Sequence, residues 1–279
     1  MNIESLPLIV EPAALNALLP NENLLVLAVC QQNVYLSHHI AKSVLIQPSQ
    51  LVSGINPATG KIPTAQQLSR VFSNAGLRDD VHVIVYDDEG GGWAGRLIWT
   101  LDVIGHRNYS YLNGGLIAWF KLGLPLLAGN EETATMVGSN TSAPEYPVNI
   151  DHSQIVDIAT ILNQIDDPQS IVWDARSKEE YDGTRITAQR NGHIPGAANL
   201  DWLELIDREN DWRLLPLTDI ATKLEALGIS KDKSVITHCQ THHRSGLTYL
   251  VGKALGYNIK AYDGSWSEWG NRADTPIEQ

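Results

Sequence analysis

The feature that most constrains this chain is that it repeats itself. Gly76 corresponds to Gly228, Val83-Ile84 to Val235-Ile236 and Asp87 to Cys239, all at one shared offset. Further on, Gly114 matches Gly264, Trp119 matches Trp269 and Pro125 matches Pro276, with the offset drifting slightly. An offset that carries glycines, a tryptophan and a strand together is the signature of two copies of one unit. The 279 residues therefore have to build two cores of ordinary domain size rather than one.

The first copy reads as alternating strands and helices. Leu24–Val29 is a buried strand, Ala41–Leu45 a second, and Val81–Tyr86 a third that runs into Asp87-Asp88-Glu89-Gly90-Gly91-Gly92. Pro63-Thr64-Ala65-Gln66-Gln67 has the spacing of a capping box that opens a helix, and Gly76 closes it. A helix from Trp93 to Ile104, a strand Tyr109–Leu112 and a turn of helix through Trp119 complete the copy. This alternation predicts an α/β fold in which each copy is a mostly parallel sheet flanked by helices. Residues 128–147 lose all periodicity, so we expect domains at 1–127 and 148–279 joined by a linker.

The two copies differ where strand meets helix. The second carries Val235-Ile236-Thr237-His238-Cys239-Gln240-Thr241-His242-His243-Arg244-Ser245-Gly246, followed by a helical run that Gly256 stops. A cysteine between strand end and helix start meets unpaired N–H groups and the positive end of the helix dipole, and Arg244 adds a fixed charge. These predict a pKa for Cys239 lowered from roughly 8.5 to about 3.5–7.5. A buried, inert thiol is the common alternative, but six polar residues, Gln240 to Ser245, follow this one. The first copy has Asp87-Asp88-Glu89 and three glycines instead, lacking the Gly-Lys-Ser/Thr ending of a phosphate loop, so we expect it to be catalytically silent. Cys30 and the turn residues His38 and His39 read as structural.

The formal charge of −12 argues against general binding to nucleic acid or anionic membranes. No apolar run is long enough to span a bilayer, and the first residues lack a signal-peptide pattern. Two cysteines give no disulfide framework. Together these lead us to expect a cytoplasmic monomer. A metal site built from His238, Cys239, His242 and His243 is disfavoured, because adjacent residues cannot easily turn both side chains onto one ion.

In the second copy, Val172-Trp173-Asp174-Ala175-Arg176-Ser177 with Tyr181-Asp182-Gly183, then Asn191-Gly192-His193-Ile194-Pro195-Gly196-Ala197-Ala198-Asn199, then Tyr262–Trp269, resemble the signatures of the two-domain rhodaneses in their order around Cys239. The loop Cys239–Ser245 is similar to that of a bacterial group within the family. The resemblance implies two tandem rhodanese-like domains and a sulfurtransferase. Cys239 would take a sulfane sulfur from thiosulfate, a small anionic donor, and pass it to cyanide or another thiophile, with no metal or organic cofactor. It implies Arg244, His242, His243, Gln240 and Thr241 at the substrate, with Asp174 and His193 as structural support. Several relatives carry a substrate-binding arginine where this chain has Glu180, and Arg176, Arg185 or Arg190 is expected to substitute. 3-Mercaptopyruvate is the alternative donor, and a carrier that hands its persulfide to a protein partner the alternative role. Cysteine-dependent phosphatases share a His-Cys…Arg-Ser pattern but place five residues between Cys and Arg, where this loop has only Gln240 to His243.

Overall fold

The computed structural model describes residues 6–129 and 145–279; most of the expected linker, residues 130–144, lies outside the described residues. Two compact units form. The first gathers Met1–Leu51, Pro63–Ile150 and Arg208–Arg213, and the second gathers Val52–Ile62, Asp151–Asp207 and Leu214–Gln279. Two segments without strand or helix, Val52–Ile62 and Arg208–Arg213, thus group with the unit that holds the other half of the sequence. Lys61 Nζ lies 2.5 Å from Glu268 Oε1, and Arg213 Nε lies 3.5 Å from Glu11 Oε2.

In the first unit the elements run β1 Ile9–Val10, α1 Pro12–Leu18, β2 Leu24–Val29, α2 Gln32–Ser37, β3 Ser43–Ile46, α3 Ala65–Asn74, β4 His82–Asp87, α4 Gly92–Val103, β5 Tyr109–Leu112 and α5 Gly115–Lys121. The sheet order is β1-β5-β4-β2-β3 with every pairing parallel. Strands β2 and β4 sit centrally and read as continuous apolar runs because helices cover both faces. The capping box forms as spaced: Thr64 takes the N–H of Gln67, and the Gln67 side chain takes the N–H of Thr64. The second strand starts two residues later than expected, since Lys42 turns through φ +61° before it.

The second unit continues with α6 Ile158–Gln164, β6 Ser170–Asp174, α7 Lys178–Tyr181, β7 Ala198–Asn199, α8 Leu217–Ala226, β8 Ser234–His238, α9 Arg244–Ala254, β9 Asn258–Ala261 and α10 Ser265–Trp269. Its order is β7-β6-β8-β9, again parallel throughout. The repeat extends to side chains. Trp119 Nε1 donates to the carbonyl of Pro125 at 2.8 Å, and Trp269 Nε1 to that of Pro276 at 2.8 Å. Tyr35 stacks on His39 in the first unit and Tyr181 on His193 in the second. Among the described residues no helix is long and apolar enough to cross a membrane.

Candidate active site around Cys239

Strand β8 ends at His238, helix α9 begins at Arg244, and the intervening residues form a tight loop over the helix N-terminus. Two non-glycine residues beside the cysteine adopt left-handed backbone angles, His242 at φ +54° and Ser265 at φ +52°. Such conformations cost about 1–3 kcal/mol each and persist where the surroundings enforce them. Here the enforcement is visible. The hydroxyl of Ser245 pairs with His242 Nδ1 at 2.7 Å, and Ser265 Oγ accepts from the N–H of Cys239 at 3.4 Å. From outside, the N–H groups of Trp266 and Ser267 bind the carbonyls of Cys239 and Gln240, both at 2.9 Å.

Cys239 is only 1% exposed. Burial by itself raises a thiol's pKa, but the Arg244 charge, the hydroxyl and N–H of Ser245 and the nearby His243 ring outweigh it and hold this thiol below its ordinary value. Cys30 shows the opposite balance: burial, with Asp88 and Asp87 beside it, pushes its thiol up to about 12.

Arg244 does not stand open as a grip for an oxyanion. Its two terminal nitrogens lie 2.5 and 2.9 Å from the two carboxylate oxygens of Glu180, which is 3% exposed and belongs to a capping box with Ser177. Burial pushes the Glu180 carboxyl up, and the hydrogen bonds and charge of Arg244 more than reverse this, leaving it below the usual range. The sequence placed Glu180 where a cation was expected; the structure pairs it with the loop's own arginine.

Arg176 is held by other partners. It is fully buried, forked onto Asp174, bonded to the carbonyl of Gly192 at 2.8 Å and stacked over the Trp266 ring at 4.3 Å. Such an arginine holds the Asp174, Gly192 and Trp266 motifs together. Arg185 is exposed and acts on Glu179, while Arg190 is spent on Thr275. Asp174 ends β6 and also faces His238, whose Nε2 lies 3.4 Å away. Gln240 donates to the carbonyl of Thr187 at 2.9 Å, and His243 faces the Trp202 ring. Thr241, half-buried, packs its backbone against Gly60. His193 Nδ1 donates to the carbonyl of Tyr181 at 2.9 Å, and the His193 backbone bridges to that of Glu278. Ser245, Ser265 and Glu180 were missed by the sequence reading, although Ser177-x-x-Glu180 has the spacing of a capping box.

The loop of the first unit is built alike with a different occupant. The Asp87 carboxylate accepts N–H groups from Glu89, Gly91 and Ala94 at 3.3, 2.8 and 3.0 Å, where the second unit has a sulfur. Burial and the charge of Glu89 push its carboxyl up to about 6.

The sequence model of the Rhodanese-like domain matches residues 11–122 and again 157–272. The chain belongs to the rhodanese family. A thiosulfate sulfurtransferase of Azotobacter vinelandii is 43% identical over 281 aligned positions, covering 98% of both chains. A 3-mercaptopyruvate sulfurtransferase of Escherichia coli is 32% identical, covering 88% of this chain and 84% of its own. The rhodanese fold also recurs in an anaerobic ergothioneine biosynthesis enzyme from Chlorobium limicola, with TM-score 0.85 at 22% identity over 98% of this chain and 70% of that one.

Proposed function

We propose that this rhodanese moves a sulfane sulfur from thiosulfate to cyanide or another thiophile through a persulfide on Cys239. The observation that carries this reading is the lowered pKa of a thiol seated on Ser245 and beside Arg244. The Cys239 thiolate attacks the outer sulfur of thiosulfate, the sulfur–sulfur bond of the donor breaks, and sulfite leaves with its electron pair. Cyanide then attacks the terminal sulfur of the persulfide; thiocyanate departs and the thiolate returns. No metal or organic cofactor takes part in this scheme, and we place the protein in the cytoplasm as a monomer. Arg244 acts through its charge, His243 and the loop N–H groups meet the donor's oxygens, and Gln240, Thr241 and His242 hold the loop's shape. Asp174 and His193 support it, and the first unit is silent because a carboxylate fills its cradle.

Likeness to the A. vinelandii thiosulfate sulfurtransferase supports thiosulfate as donor. The E. coli relative supports 3-mercaptopyruvate as the second reading; a tenfold higher kcat/KM for that donor, about 1.4 kcal/mol, would favour it. The central test is intact mass before and after thiosulfate. The wild type should gain one sulfur that cyanide removes, and Cys239→Ser should gain none. Sulfur uptake and thiocyanate formation by Cys239→Ser would sink the assignment.

A further inference from the structure

The segment Val52–Ile62 contains no strand or helix, yet it is ordered against the second unit. It is folded on itself by three backbone hydrogen bonds, Ser53 N–H to Lys61 O at 2.7 Å, Gly54 N–H to Thr59 O at 3.0 Å and Lys61 N–H to Ala58 O at 3.1 Å. Its end is fastened twice. Lys61 Nζ meets Glu268 Oε1 at 2.5 Å, and the N–H of Ile62 donates to Asp263 Oδ2 at 2.8 Å. Both anchors lie in Tyr262–Trp269, the stretch whose Trp266 and Ser267 bind the carbonyls of Cys239 and Gln240.

Beside those anchors sits Gly60, buried. A Cβ on it would lie 2.1 Å from the carbonyl oxygen of Thr241, 2.5 Å from its carbonyl carbon and 2.8 Å from its Cα. All three atoms are backbone, so no side chain can swing aside. Gly60 is not among the residues with positive φ, so its conformation does not call for glycine; only the closeness to Thr241 does. Three consecutive carbonyls, those of Cys239, Gln240 and Thr241, are thus each met from outside the loop. Because a trans peptide is planar, a carbonyl turned outward turns the next N–H inward.

We infer that Gly60 is a positioning residue for the Cys239 loop: its bare Cα lets Val52–Ile62 back the Thr241 peptide and keeps the loop's N–H groups aimed at the sulfur. This deepens the proposed function and rests on Cys239 as the nucleophile. Gly60→Ala pushes the Thr241 peptide off its place, and displacements of this kind cost up to about a hundredfold in rate.

The test compares wild type, Gly60→Ala and, as a control in the same segment, Ile55→Ala, whose side chain is 71% exposed. The readouts are alkylation rate of Cys239 against pH, kcat and KM for thiosulfate, and melting temperature. Gly60→Ala should raise the thiol's pKa and lower kcat by about tenfold or more with a smaller change in KM, and Ile55→Ala should match wild type. If Gly60→Ala does not fold, Lys61→Ala takes its place; it frees the segment from Glu268 without adding an atom and should move both readouts the same way by a smaller factor. A folded variant with wild-type titration and kcat overturns the inference. So does an activity loss that follows melting temperature while the thiol titrates as before. Alkylation needs no turnover, so it judges the positioning role even if wild type takes no sulfur from thiosulfate, which would instead refute the proposed reaction.

Discussion

Arg244 and Glu180 show how one pair of side chains changes the role a sequence suggests. An arginine after a reactive cysteine invites the picture of a planar fork closing on an oxyanion. With its terminal nitrogens already on Glu180, Arg244 works as a fixed charge held near the sulfur. Arg244→Ala should therefore raise the pKa of Cys239 and slow its alkylation at neutral pH; identical pH–rate curves would show that the helix terminus alone sets the thiol. The same change leaves the Glu180 carboxylate buried without its partner, at a cost of about 3–5 kcal/mol. Adding Glu180→Gln should restore much of that stability in thermal unfolding without restoring the thiol's acidity. The folded pKa of Glu180 is depressed, so its contribution to wild-type stability is present above the unfolded carboxylate value of about 4.3 and is lost as pH falls through the lower folded value.

At the scale of the element, loop length separates sulfur transfer from phosphate-ester chemistry. Only Gln240 to His243 stand between Cys239 and Arg244, and the outer carbonyls are pinned by Trp266 and Ser267. A persulfide extends the sulfur by one bond, whereas a phosphoryl group needs room for three equatorial oxygens. A glycine inserted between His242 and His243 should depress thiocyanate formation and improve inhibition by phosphate or tungstate; unchanged transfer and unchanged inhibition would remove loop length as the determinant. The strands and helices of the fold were legible because buried parallel strands are apolar runs and Thr64–Gln67 spells its own cap. The cysteine and arginine were legible because their types and spacing state a chemistry. Glu180 and Gly60 were not, since each acts on a partner distant in sequence, and Val52–Ile62 has no period to betray which unit it joins. For Arg176 the sequence shows a cation but not the Trp266 ring and Asp174 carboxylate that enclose it.

Across the whole molecule, two copies of one fold differ in charge in the equivalent loop, acidic in the first and cationic in the second. The residue equivalent to Arg244 at the first turn of α4 is Gly92, and Asp88 and Glu89 stand where the second loop is polar and cationic. Cys30 already reports what that setting does to a thiol. Asp87→Cys should therefore leave the protein accepting one sulfur from thiosulfate, at Cys239; a second sulfur in the intact mass would show that the shared loop shape activates a thiol without the cation. The Trp–Pro clasps and Tyr–His stacks appear in both copies, whereas the nucleophile appears in one. The interleaving of the units along the chain has a consequence for dissection. With Val52–Ile62 grouped in the second unit and Arg208–Arg213 in the first, neither half of the chain holds a whole unit. A cut anywhere between 130 and 144 yields a front piece carrying the segment that the back piece lacks, and a back piece carrying the one the front piece lacks. Each unit then has all of its segments only in the uncut chain.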